Sequence, residues 1–468
     1  MLTAIIEKEI REILGSAKFG ITFGACIVLI LLSFYVGAMN YKSSVEQYNA
    51  AKAQNLRQME GLTSWLSLEQ HRIFMPPQPL AALVTGSSND VGRTIGVHRR
   101  SSIAAEDSKF SEDPIYAVFR FLDLTFIFQI VLSLFAILLG YDAVCGEKER
   151  GTLRLSFANA VPRATYILGK LIGSFVTLVT ALILAILLGC LLLPLLGVSL
   201  TGDEWVRLAI IIGTGLLYFA VFLSISVFVS TITHRSSSAF LTLLVIWVIS
   251  VLIVPRASVL LAGRAVDVPA VDNIAAQKAT FSKQLWQDHQ KAMGAFKPPE
   301  NHDPTMMMDL FNAYMDSLSQ IRESKMNEFS DRLNEDRHNR QKVQQQVAFN
   351  LARISPTASL TLAATRLAGT SIDIKDRFYE SGIDYKETFA DFMKEKTGMN
   401  ITGGMFIVQS DGEEQEPIDP KEMPEYVYQP EPLRASLAGS VVDIGILALF
   451  NLVFFIGAFV SFTRYDVR

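Results

Sequence analysis

Between Tyr141 and Lys170 the chain sets a dense charge cluster between two long apolar runs: Asp142, Glu147, Lys148, Glu149, Arg150, Arg154, Arg163 and Lys170. Gly146 and Gly151 bracket its centre, which places Glu147–Arg150 at a turn where a short helix restarts. Thr152-Leu153-Arg154-Leu155 then alternates polar with apolar residues, and Pro162 marks a new start. Charge alone leaves two readings of such an elbow: a solvated turn between membrane spans, or a surface that acts on a partner.

Other stretches carry weaker chemical signals. Gly86-Ser-Ser-Asn-Asp-Val-Gly92-Arg93-Thr94 has the flavour of a phosphate-binding loop, but its spacing is wrong and Arg stands where Lys is required. Met306-Met307-Met308, with His302 before and Met315 after, offers soft donors suited to Cu(I). Three adjacent residues on a helix cannot point one way, so these methionines read as packing residues. His289 and His338 lie far along helices, and sequence does not say whether they converge. Asp267 and Asp272 around Pro269, and the acidic run Asp411–Glu416, read as solvated loop charges. The turn Thr231–Ser238 is short and basic, either a minor partner contact or a charge anchor for the span. Cys26, Cys145 and Cys190 make neither a disulfide framework nor a metal motif. No Ser/His/Asp or paired-carboxylate arrangement stands out, so the chain is not expected to be an enzyme and no directly bound cofactor or metal is expected.

The elements that must position the elbow are membrane spans. Of 468 residues, 50% are hydrophobic and 19% charged, and mean hydropathy is +0.30. Soluble domains carry about 25% charged residues, so this balance indicates a membrane protein with large soluble parts. A net charge of −4 argues against a nucleic-acid partner. Six spans are predicted, over 19–39, 119–139, 167–196, 209–230, 239–254 and 441–462. Residues 1–18 form an amphipathic helix on the membrane surface, too long and acidic for a cleavable signal. Residues 40–114 read as a polar loop and 255–440 as a mostly helical insertion. Within the insertion, helices over 271–296 and 305–353 make a hairpin with Ser355-Pro356 at its foot. Shorter helices follow around Gly382, then a strand-like run at 404–408. Asp123 and Asp443, near span ends, read as interfacially solvated. Gly189, Pro194 and Gly197 make the third span breakable near its end, and Gly213 and Gly215 permit close helix approach in the fourth. Lys8, Arg11, Lys18, Lys148, Arg150, Arg154, Arg163, Lys170, Arg235, Arg464 and Arg468 fall on one side, whereas the turn Gly197–Leu208 has only Arg207. The positive-inside rule then makes the elbow and both termini, including the tail 463–468, cytoplasmic. The fold class is an all-α polytopic membrane protein with an N-terminal interfacial helix and a mostly helical extracytoplasmic insertion.

Gly146-Glu-Lys-Glu-Arg-Gly-Thr-Leu153, followed by Pro162-Arg163 and Gly169-Lys170, resembles the first cytoplasmic loop of type 2 ABC-exporter permeases. Ser355-Pro356 and Leu367-Ala368-Gly369-Thr370 are similar to a larger subgroup with a helical insertion before the last span. The resemblance implies that Glu147, Lys148, Glu149, Arg150, Gly151, Thr152 and Leu153 couple the chain to a separate ABC ATPase subunit. Leu153–Phe157 would form or flank the coupling helix. It also implies two ATPases and two permeases per complex, the second permease being the same chain or a paralogue, in a bacterial inner membrane. ATP would be used by the partner, and the outer insertion would select cargo, gate the exit or recruit a periplasmic partner. Glu149→Lys is expected to uncouple or release the ATPase without unfolding the permease. The competing reading is a non-transporting membrane sensor or assembly scaffold with an extracytoplasmic binding domain.

Overall fold

The computed structural model describes residues 2–68, 70–87, 92–98, 104–105, 123–158, 161–296, 304–397 and 417–464. His302, the strand-like run at 404–408 and the acidic run Asp411–Glu416 lie outside the described residues, as do 88–91 of the glycine-bracketed loop. Among the described residues, six helices are long and apolar enough to cross a membrane, and the fold is all-α apart from one small sheet.

The chain opens with α1 (Leu2–Leu14) and turns at Gly15-Ser16, where the Ser16 hydroxyl accepts from Phe19 N at 3.2 Å and starts α2 (Ala17–Arg57). α2 has 41 residues, about 60 Å at 1.5 Å per residue, twice the ~30 Å hydrocarbon thickness. The polar loop predicted from residue 40 is therefore helical up to Arg57. Residues 40–57 contain neither Pro nor Gly and are rich in Ala, Gln, Lys and Asn, so nothing in them stops the helix. An antiparallel sheet follows, β1 (Gln70–Phe74), β2 (Thr94–His98) and β3 (Ala104–Ala105), with Ile73 opposite Ile95 and His71 opposite Val97.

α3 (residues 124–140) starts on Asp123, whose carboxylate accepts from Phe126 N at 2.7 Å and from Thr85 N at 3.2 Å. Asp123 is thus a half-buried helix cap and not simply a solvated interfacial charge; the backbone N–H groups of Phe126 and Thr85 take the place of water. The elbow holds α4 (Cys145–Glu149) and α5 (Thr152–Ala158). α6 (Arg163–Leu195) runs through Pro194 and ends at Gly197, whose φ of 86° reverses the chain. Gly189 does not break α6: a Cβ there would lie 2.7 Å from the Phe34 ring, so the glycine is a notch that seats α2. α7 (Gly202–Ile232) begins with a Thr201/Glu204 capping box, and Gly215 is a matching notch for the Phe128 ring; Gly213 faces open space.

α8 (Ser236–Ala265) continues eleven residues past the span end predicted at 254. Its π-helical segment Val248–Ile253 precedes Pro255, which sits in the first turn of the following α segment, where its missing N–H is tolerated. The last segment of α8 and α9 (Val271–Gly294) run beside α10 (Pro304–Ala352), whose 49 residues extend about 70 Å. Phe281 stacks on Phe329 at 4.1 Å, Lys278 Nζ donates to Asn334 Oδ1 at 3.0 Å, and Arg337 Nε donates to Pro269 O at 3.2 Å. The hairpin read from the sequence is present.

α11 (Pro356–Ala368) re-enters the bundle. Nine of its 13 residues are buried, Thr357 Oγ1 lies 3.1 Å from Tyr218 OH, and Leu367 O accepts from Arg207 at 3.1 Å. It therefore lies along α7 over roughly 16 Å, from Tyr218 to Arg207. Arg207 is correspondingly buried, not an exposed loop charge. Just before α11, Arg353 forms a bidentate pair with Asp443 at 2.7 and 3.1 Å, so Asp443 is also paired and buried instead of solvated. α12 (Asp373–Thr397) runs unbroken through Gly382, where a Cβ would lie 3.1 Å from Ile95. The glycine there allows helix and sheet to approach and does not interrupt the helix. α12, the sheet and residues Met59, Trp65, Met75 and Met423 make a second core, separate from the bundle. α13 (Leu433–Arg464) returns through the bundle to the elbow end.

Candidate functional site

The elbow is seated on its neighbours by side chains of alternating orientation. Ser230 of α7 accepts from Val144 N at 3.0 Å and Cys145 N at 2.9 Å, covering two amides that open α4. Lys148 Nζ donates to Thr231 O at 2.5 Å and Thr233 O at 3.2 Å. Glu149 accepts from Ser236 N at 3.2 Å and Ser236 Oγ at 2.8 Å, at the start of α8. The basic turn Thr231–Ser238 is thus the bed of α4. Gly151, at φ 73°, reverses the chain between α4 and α5.

α5 is fixed by aromatic contacts. Phe157 meets Tyr166 at 5.4 Å and Phe462 at 5.7 Å, while Tyr166 stacks on Phe462 at 5.2 Å. Leu153 is buried beneath the same helix, and Arg163 donates to Thr463 O. One short helix therefore touches the beginning of α6 and the end of α13.

Beneath α4 lies a buried charge cluster. Lys170 Nζ stands 2.8 Å from Glu9 Oε2 and 3.0 Å from Glu147 Oε1. Glu147 also accepts from Lys8 Nζ at 3.1 Å and from Tyr166 OH at 2.6 Å, and Glu9 accepts from Ser174 Oγ at 3.2 Å. Glu147, Lys170 and Glu9 are 2%, 3% and 5% exposed. Burial raises the Glu9 carboxyl above its ordinary range, more than the Lys170 charge lowers it. At the elbow's edge Lys18 pairs with Asp142 at 3.1 Å and Arg150 with Glu12 at 3.6 Å.

The residues picked from the sequence thus divide. Glu147 and Leu153 face inward, and Lys148 is half-buried on backbone carbonyls. Glu149, Arg150, Gly151 and Thr152, together with Arg154, form the exposed ridge. Sequence reading missed Glu9, Tyr166, Ser230, Phe462 and the role of Lys170. A usable signal was present: Gly169 and Gly173 are spaced as a small-xxx-small seat for another helix. The other chemical candidates are not brought together here. His289 is buried against Trp286, and His338 faces Asp376 at 3.7 Å. Among the described residues no group of three His, Cys, Asp or Glu is placed to hold a metal.

Residues 3–467 match the model of the family described as ABC-2 family transporter protein. A relative in Stutzerimonas stutzeri, the probable ABC transporter permease protein NosY, is 34% identical over 125 residues. That stretch is 26% of this chain and 45% of NosY, so the match spans less than half of the relative. Six membrane-crossing helices and a family match over almost the whole length lead to one conclusion: the chain belongs to the ABC-2 family of transporter proteins, membrane subunits of ABC transporters.

Proposed function

We propose that this subunit is the permease of an ATP-driven exporter in a bacterial inner membrane, and that the elbow receives a separate ATPase subunit. The observation that carries the reading is the two-sided build of the elbow. Its outer ridge of Glu149, Arg150, Thr152 and Arg154 is exposed, while its inner side is fixed to α6, α7, α8 and α13. A force applied to the ridge reaches four spans at once. The elbow end is cytoplasmic, and the sheet, the α9–α10 hairpin and α12 are extracytoplasmic, in keeping with the Lys and Arg bias. Two permeases and two ATPases make the working unit, with ATP used only by the partner. ATP binding shifts the permeases between two conformations by favouring one arrangement of the elbows.

Charge reversal on the ridge tests the reading. Arg154→Glu is expected to release the co-purifying ATPase from solubilised membranes while leaving the permease folded. Glu149→Lys carries a second effect, because it removes the acceptor for Ser236 at the start of α8. Unchanged ATPase recovery from both variants would count against the elbow as the docking surface.

A further inference from the structure

The N-terminal helix is built into the elbow by features that the docking reading does not use. Gly169 and Gly173 cut a groove along α6 into which α1 is laid. A Cβ at 169 would lie 2.6 Å from Ile5 Cγ2, and one at 173 would lie 2.7 Å from Glu9 Cβ. Lys170 rises between the two glycines and is gripped by Glu9 of α1 and Glu147 of α4. Lys8 reaches the same Glu147 oxygen from α1, and Glu12 reaches Arg150. Glu9 and Ile13 are buried against the protein, so α1 is not simply a helix resting on lipid, as its amphipathic pattern alone suggested.

We propose that Lys170 is the positioning residue that locks α1 to the elbow, so that α1, α4 and α6 move as one body. The proposal rests on the reading that the elbow receives the ATPase. Its physical basis is the cost of separating the parts. Sliding α1 off its groove would break the Lys170–Glu9 and Lys8–Glu147 pairs and leave Lys170 and Glu147 with only each other, whereas a concerted motion keeps every pair intact. Because α1 leads through Gly15-Ser16 into α2, displacement of the elbow also reaches the first span directly.

Amide hydrogen exchange on the purified permease–ATPase complex, with and without ATP and vanadate, tests this. In the wild type, residues 5–14 should be protected like residues 166–174, and nucleotide should shift the protection of α1 and α4 together. Lys170→Met should lower α1 protection by roughly tenfold or more and abolish its nucleotide response, while α4 still responds. A disulfide between Ile5→Cys and Gly169→Cys should restore the response. The native Cys26, Cys145 and Cys190 are buried or half-buried, which favours selective oxidation of the introduced pair. Glu9→Gln serves as the milder variant if Lys170→Met does not fold. Rapid exchange of α1 in the wild type, or an α1 response untouched by Lys170→Met, overturns the proposal while the elbow reading stands. If α4 itself ignores nucleotide, the elbow reading fails and the proposal falls with it.

Discussion

Glu147 and Glu149 are two residues apart in one charged run, yet their substitutions should have opposite consequences. Glu147 is 2% exposed and accepts from Lys8, Lys170 and Tyr166 at 3.1, 3.0 and 2.6 Å. Removing one partner of a buried ion pair costs about 3–5 kcal/mol. Here Lys170 retains Glu9 at 2.8 Å and the Lys8 side chain is 53% exposed, which moves Glu147→Gln toward the lower end, about 2–3 kcal/mol. Glu149 is exposed and accepts from Ser236 at the surface, bonds that a Gln oxygen can also accept, so Glu149→Gln should leave global stability unmoved. Thermal unfolding of both variants and wild type in lipid nanodiscs, without the ATPase, provides the comparison. Glu147→Gln should melt several degrees below wild type and Glu149→Gln beside it. A triple variant, Glu9→Gln with Lys170→Met and Glu147→Gln, should recover much of the loss, because it removes the buried charges together. Equal melting of the two single variants would refute the assignment of Glu147 to the interior.

Three further outcomes follow from particular contacts. His71 is buried between Asn55, Tyr385 and Phe389, which lowers its pKa from 6.5 to about 4. The depressed value means that the unfolded state binds the proton first. Stability is complete above about pH 6.5 and falls by up to about 3 kcal/mol as pH drops toward 4, a slope that His71→Asn should flatten in pH-dependent melting. Phe157→Ala, at a half-buried position, should cost about 2 kcal/mol and raise the exchange rate of α5 amides without touching α9 or α10. Gly37→Ala would place a Cβ 1.7 Å from Ala82 O, a backbone clash, so its yield of folded protein in membranes should fall sharply, while Gly24→Ala, which meets nothing within 4 Å, should be neutral.

The membrane part of the fold was legible because spans announce themselves by length and by the absence of charge. What escaped was everything set by contacts between distant segments. α11 has the composition of an ordinary helix, and only its small residues hinted that it packs inside the bundle. Asp123 and Asp443 looked solvated because a cap or a partner such as Arg353, 90 residues away, leaves no local mark. Gly382 and Gly189 read as breaks, since sequence cannot distinguish a glycine that bends a chain from one that admits Ile95 or Phe34. At the elbow, the charge run located the site but not its inward and outward faces. Those depend on Lys170 and Glu9, which come from two other helices.

The most direct test of the elbow as an ATPase seat is photo-crosslinking from its ridge in native membranes. A crosslinking side chain at Arg154 should yield one dominant adduct, a P-loop ATPase, and the same group at Ile321 on the α9–α10 hairpin should not. Recovery of the ATPase from neither position, or an Arg154 adduct with some other cytoplasmic protein, would contradict the coupling role and favour a membrane scaffold.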